Sequence, residues 1–238
     1  MNKTYAFSDV HGIYDLWAQI RDYCDETDTI YFLGDACDRG EDGIAIITEL
    51  LKDKRVVYLK GNHEDMLTIC VPEFIAGHFE NKSWWDMNGG TPTWNSLSRF
   101  SEDAQLYYVR KLTNLPKTAW YASPKGHKIF LSHAGTDLNY TEEQLIQMGR
   151  GHKDPYIWDR KHFYSKHPEN LKNVYQVHGH TPVLSTSFPY PLWSDEKTNK
   201  VIKYDDGHKF NIDMATFSTK EIALIDLDTF ETIYFKER

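Results

Sequence analysis

The chain has only three cysteines, Cys24, Cys37 and Cys70, and no Cys-x-x-Cys spacing, so a disulfide framework is excluded as its organising principle. A reducing compartment fits, and a cytoplasmic setting is expected. Long apolar runs are missing: the longest reach about four or five residues, far short of the roughly 20 that a membrane-spanning helix needs. Positive charge is not in excess either. Lys and Arg total 27 against 35 Asp and Glu, a net charge of −8 with His neutral, which leaves no cationic footprint for wrapping nucleic acid. A strand already closing at Asp9 leaves no place for a signal peptide. What remains is a 238-residue chain with 40% hydrophobic and 26% charged residues, read as one soluble globular domain spanning 1–238.

Strand and helix alternate through the first third. Thr4–Ser8, Thr29–Leu33 and Val56–Leu59 have the length and the β-branched or aromatic content of buried strands. Each is followed by a polar turn and then by apolar residues at helical spacing: Ile13, Leu16, Trp17 and Ile20; Ile44, Ile47 and Leu51 within about 41–53; and a helix over roughly 64–76. Glu41 and Asp42 fall in the first turn of the second helix, where the dipole favours acids. Residues 78–126 break the rhythm. They carry Trp84, Trp85, Trp94 and Trp120, a tight turn at Asn88-Gly89-Gly90, and a helix over 101–115, and read as helical packing plus a rim. Substrate contact is the other use open to these aromatics. Strands return at 128–131, 174–177, 209–212, 222–227 and 229–235, with a capping-box helix start at Thr141-Glu142-Glu143-Gln144.

Five strand ends deliver side chains able to bind a metal: Asp9 with His11, Asp35, Asn62, His133, and the pair His178/His180. Open α/β sheets place their sites at the carboxyl ends of strands, so the five can converge. Asp35 is central. Its carboxylate has two oxygens and can bridge two cations about 3.5–4 Å apart, the separation used in two-metal phosphoester chemistry. Asp38 and Arg39 follow, and a guanidinium fork suits a pair of phosphate oxygens. Taken singly, each signal has an ordinary reading: Asp-x-His as a surface turn, Arg160 as a surface ion pair, Cys37 as a small buried hydrophobe rather than an oxidation switch. Of His178 and His180, one can ligate while the other hydrogen-bonds behind it. His78, His127, His152, His162, His167 and His208 stand alone and receive no role.

The blocks Asp9-Val10-His11-Gly12, Gly34-Asp35-Ala36-Cys37-Asp38-Arg39-Gly40 and Gly61-Asn62-His63-Glu64 strongly resemble the signature motifs of PPP-type metallophosphatases, within the calcineurin-like superfamily. His133 in Ser-His-Ala-Gly and His180 in Gly-His-Thr-Pro match that family's later histidines. Asn88-Gly89-Gly90, Trp158-x-Arg160 and Gly-His-Thr-Pro look most like bacterial and phage serine/threonine phosphatases of the lambda type. The resemblance implies a four-layer α/β/β/α sandwich with two mixed β-sheets. It also implies two divalent ions, manganese foremost with iron, zinc or cobalt as alternatives. Asp9, His11 and Asp35 would hold one; Asp35, Asn62, His133 and His180 the other. Arg39 and Arg160, with Asn62, would bind the phosphate, His63 would be the general acid, and Asp38 would orient it. Lys60 departs from the family's frequent Arg before Gly-Asn-His-Glu, which puts an auxiliary substrate contact in doubt.

The implied activity is hydrolysis of a phosphomonoester, on a phosphorylated protein or a small phosphoester, by attack of a hydroxide held between the metals. A symmetrical dinucleoside tetraphosphatase or a nucleotide phosphodiesterase is the nearest rival. Asp38 and Thr181-Pro182 favour the phosphatase over it. A non-catalytic scaffold on the same fold is a more distant reading, since no ligand or acid is missing.

Overall fold

The computed structural model describes residues 2–139, 154–183 and 200–238. In the first half the apolar periods fold as expected. β1 (Thr4–Phe7), β2 (Thr29–Phe32) and β3 (Val56–Tyr58) lie parallel, with Thr4 opposite Thr29 and Ile30 opposite Val56. Three helices lead on from these strands: α1 (Tyr14–Tyr23), α2 (Gly43–Leu50) and α3 (Asn62–Ile75). Near the C-terminus, β9 (Glu221–Asp226) and β10 (Thr232–Lys236) form an antiparallel hairpin that joins β1, giving the order β10-β9-β1-β2-β3.

The second sheet has the order β4-β5-β6-β8-β7, built from Thr118–Ala122, Lys128–Ser132, Val174–His178, Lys209–Asn211 and Ile202–Tyr204. β5, β6 and β8 are parallel, and β4 and β7 are antiparallel edges. Both sheets are therefore mixed, the architecture expected from the motifs. Between them Ala6, Leu33, Leu59, Leu131, Val177, Ile212 and Ile225 form one buried layer. Phe7, Trp17, Ile47, Leu67 and Trp85 belong to the larger core between the first sheet and its helices. On the outer face of the second sheet, the short helices Pro155–Trp158 and Lys161–Tyr164 set Tyr156 against Phe130 and Phe163 against His178.

Several boundaries differ from the sequence reading, each for a local reason. α2 starts at Gly43, leaving Glu41 and Asp42 outside its first turn, because the Asp42 amide is held by the Gly12 carbonyl at 3.1 Å. α3 starts two residues early: the Glu64 side chain accepts the Gly61 amide at 2.8 Å and closes the helix terminus, so Asn62 and His63 sit in its first turn. Within 78–126 lie α4 (Lys82–Met87), α5 (Thr91–Leu97) and α6 (Glu102–Thr113), as helical packing requires. β4 was not expected there. It is an edge strand whose Trp120 is 57% exposed, so its alternation carries no clear buried phase. The helix start at Thr141 and His152 lie outside the described residues.

Candidate active site

Parallel strands end on one side of their sheet, and here two sheets bring their ends together. Asp9 follows β1, Asp35 follows β2 and Asn62 follows β3; His133 follows β5 and His180 follows β6. Main-chain pairing continues past the strands into the turns. Asp9 N donates to Gly34 O at 3.0 Å, His11 N to Asp35 O at 3.0 Å, and Gly179 N to His133 O at 2.8 Å. The turns are tight enough to force Asp9, His11, Asp35, Asp38, Arg39 and His180 to positive φ, between 44° and 68°. That region is uncommon outside glycine, and such strain concentrates at functional sites.

The side chains meet around Asp35. Its Oδ2 lies 3.3 Å from His133 Nε2 and 3.7 Å from both His11 Nε2 and His63 Nε2. Asp9 Oδ1 is 3.9 Å from His11 Nε2. Asn62 Oδ1 stands 2.8 Å from His133 Nε2 and 2.8 Å from His180 Nδ1, joining the two sheets. All of these residues are buried. The other ring nitrogens are committed elsewhere: His11 Nδ1 donates to Cys37 O at 3.0 Å and His133 Nδ1 to Leu33 O at 2.8 Å. Each Nε2 is thereby aimed inward, as metal-binding imidazoles require.

Burial alone would raise the Asp35 carboxyl, but His133, His63 and His11 outweigh it and hold it well below the usual range. Burial likewise opposes charge on His133, yet Asp35 and Asp9 push it up to about 9. Burial raises the Asp9 carboxyl well above its ordinary value, and Asp213 raises it further. His11 and His180 are pushed far down, chiefly by burial, then by Arg39 and His133 respectively. A buried group of acids and imidazoles, whose inward nitrogens become lone-pair donors when deprotonated, is suited to divalent cations. Two sets of three ligand atoms converge, His11/Asp35/His63 and Asp9/Asp35/His133. Both contain Asp35, so the donor set fits a pair of ions sharing that residue.

Beside these groups, His63 Nδ1 is 2.7 Å from Asp38 Oδ2, and the Arg39 guanidinium reaches 2.8 Å from His11 Nε2 and 3.4 Å from His63 Nε2. Arg160, half-buried, donates from Nε to Thr181 Oγ1 at 3.2 Å. His178 turns away from the pocket, with Nε2 2.6 Å from the Tyr204 hydroxyl and Nδ1 on Gly179 O. Lys60 is buried and paired with Asp65 at 2.7 Å, and Asp65 also receives the Trp158 indole at 3.2 Å. Cys37 is buried, with its thiol pushed well up, first by burial.

Three residues the sequence reading left without a role belong to this surround. Glu64 accepts from the amides of Asp35 at 2.9 Å, Ala36 at 2.7 Å and Gly61 at 2.8 Å, and from the Tyr58 hydroxyl at 2.8 Å. It fastens the second motif to the third. Asp213, buried just beyond β8, is an acid at a sixth strand end, and burial raises its carboxyl to about 6. The signal that would have found it is the same strand-then-acid pattern. Trp85, which reads as packing, donates its indole N–H to Asp38 Oδ2 at 2.8 Å. Nor is His162 isolated: it is fully buried with its ring 4.6 Å from that of His178.

Residues 3–211 match the model of the calcineurin-like phosphoesterase family, and the chain belongs to that family. It is a metallophosphoesterase of the hydrolase class. No curated protein sequence matches it. Among solved structures it is similar to a candidate diadenosine tetraphosphatase at 12% identity and TM-score 0.59, covering 98% of this chain and 93% of that one. A Saccharomyces cerevisiae protein serine/threonine phosphatase with similarity to human phosphatase PP5 aligns at 13% identity and TM-score 0.59, over 98% and 79% of the two chains. The cold-active protein-tyrosine phosphatase of a psychrophilic Shewanella species aligns at 14% and 0.58, over 100% and 81%. At these identities the likeness establishes the shared fold. Among the described residues no helix is long and apolar enough to cross a membrane.

Proposed function

We propose that this protein is a single-domain, metal-dependent phosphomonoester hydrolase whose substrates are serine/threonine phosphoproteins. The observation that carries the reading is the 2.7 Å pairing of His63 Nδ1 with Asp38, which leaves Nε2 directed at the Asp35 pocket beside Arg39. An imidazole so oriented is placed to deliver a proton to a departing alkoxide. That is the harder leaving group of a serine or threonine ester. Arg39 and Arg160 would neutralise the phosphoryl oxygens as charge builds on them.

Asp9, His11 and Asp35 would hold one cation, and Asp35, Asn62, His133 and His180 the second, with manganese the first to test among manganese, iron, zinc and cobalt. Bound there, divalent ions supply Lewis acidity and lower the pKa of water into the neutral range. The chain's own part is to fix the donors, exclude bulk water from the carboxylates and position the acid. The free, buried cysteines support a reducing, cytoplasmic setting.

Dinucleoside tetraphosphate hydrolysis is the second reading, supported by the structural similarity to the diadenosine tetraphosphatase candidate. Manganese-loaded protein assayed side by side on a phosphoserine peptide and on diadenosine tetraphosphate separates the two. A higher kcat/KM on the peptide is expected; the reverse order would overturn the phosphatase reading. Failure to hydrolyse any aryl phosphate would favour a binding scaffold.

A further inference from the structure

Trp85 is, with Trp17, one of two fully buried tryptophans among the described residues, and it stands on α4 in the segment read as helical packing. Its indole N–H ends on the oxygen of Asp38 that also meets His63, at 2.8 Å and 2.7 Å respectively. Asp38 is fully buried, and among the described residues its other oxygen has no hydrogen-bond partner. A buried carboxylate with two donors depends on both, since a lost partner leaves charge that water cannot reach. The Asp38 backbone amide is occupied separately, on Thr93 Oγ1 at 2.8 Å, and so does not contribute to the carboxylate.

The Asn88-Gly89-Gly90 turn locks this arrangement in place. A Cβ on Gly90 would fall 2.3 Å from Trp85 Cδ1 and 2.4 Å from its Nε1, so the bare backbone is what lets the indole lie flat against the turn. Gly89 O accepts the Arg39 amide at 2.8 Å. One turn thus seats both the indole behind the acid and the arginine beside it.

We propose that Trp85 is a positioning residue of the reaction: acting through Asp38, it fixes the orientation of the His63 imidazole for proton delivery to a poor leaving group. The inference rests on the phosphatase reading and adds a residue to it. Because the indole works only through Asp38 and His63, its loss matters where the leaving oxygen needs a proton and little where it does not.

The test uses the manganese-loaded full chain with Trp85→Phe, and a second variant carrying β-(3-benzothienyl)alanine at position 85, an indole-shaped side chain with sulfur in place of the N–H. Phosphoserine-peptide turnover should fall about tenfold or more, part of the roughly 10²–10⁴-fold that a positioned acid contributes. Nitrophenyl phosphate turnover should fall less than about threefold, with KM and bound manganese unchanged. In an Asp38→Asn background the same replacements should cost nothing further, since the group they act through is already altered. Equal losses on both substrates, or losses that simply add to those of Asp38→Asn, would overturn the positioning role. The isostere keeps this decision available if Trp85→Phe folds poorly. A wild-type chain inert towards both substrates would overturn the phosphatase reading itself, and this inference with it.

Discussion

His63 meets Asp35 twice: its backbone amide donates to Oδ1 at 3.0 Å, while its imidazole Nε2 faces Oδ2 across 3.7 Å. One carboxylate therefore anchors the start of α3 and faces the ring that α3 presents. Asp35→Asn should abolish metal occupancy and turnover together, because the shared anionic donor is lost from both ligand sets. Metal content by mass spectrometry beside an activity assay checks this; full metal occupancy without turnover would contradict the bridging assignment.

His63→Asn separates acid from metal binding. Phosphoserine hydrolysis should drop by roughly 10²–10⁴-fold while nitrophenyl phosphate suffers less and bound metal is retained. Equal losses on the two substrates would remove His63 from the acid role.

Glu64 is the fastening between the second and third motifs, and its replacement is a structural prediction. Glu64→Ala would leave the amides of Asp35, Ala36 and Gly61 and the Tyr58 hydroxyl without their acceptor in a buried place. Each such orphan costs about 1–3 kcal/mol, so urea unfolding should show a loss of several kcal/mol or no folded protein at all. An unchanged midpoint would mean that water replaces the carboxylate.

Glu49 gives a pH prediction remote from the pocket. Burial disfavours its charge, but bonds from Tyr14 at 2.5 Å, Trp17 at 2.8 Å and Arg21 at 2.8 Å outweigh that and hold the carboxyl below its ordinary value. A depressed folded value means that the stabilisation is fully present above the unfolded pKa and is lost as pH falls through the folded one. Wild type and Glu49→Ala should thus differ by about 1–3 kcal/mol at pH 7 and converge in acid. A gap that persists at low pH would show packing rather than charge at work.

The thiols should be inert in the native state. Burial pushes Cys24 and Cys70 up to about 12 and Cys37 well above its ordinary value, and all three are buried and free. Iodoacetamide at pH 8 should label none of them before denaturation and all three after. Rapid native labelling at Cys37 would restore it as an oxidation-sensitive position.

The pocket was legible because strand ends carry it. β1, β2, β3, β5 and β6 are short, apolar and each closed by Asp, Asn or His, a pattern that needs no knowledge of distant contacts. Trp85 was not legible: a buried indole that packs and one that also donates to Asp38 look identical in a linear chain. Asp213 escaped although its strand was read at 209–212, because no glycine turn lies close to it as one does at the other strand ends. β4 was hidden by lying at an edge, and the start of α2 by a single bond from Asp42 to Gly12. These depend on partners distant in the chain.

Gly61 lies so close to Asp35 that an added Cβ would come within 2.2 Å of Oδ1 and 2.5 Å of the amide nitrogen, and one on Gly34 would come within 2.5 Å of Gly61. The Gly34 and Gly61 backbones pack directly on one another, and the Glu64 carboxylate ties the same two turns together. The spacing of the candidate ligand side chains then depends on how closely these two turns pack as well as on their rotamers. Were those side chains to hold a larger cation, widening the site would press on the Gly34–Gly61 contact, so the size of the site and the packing of the two turns are linked.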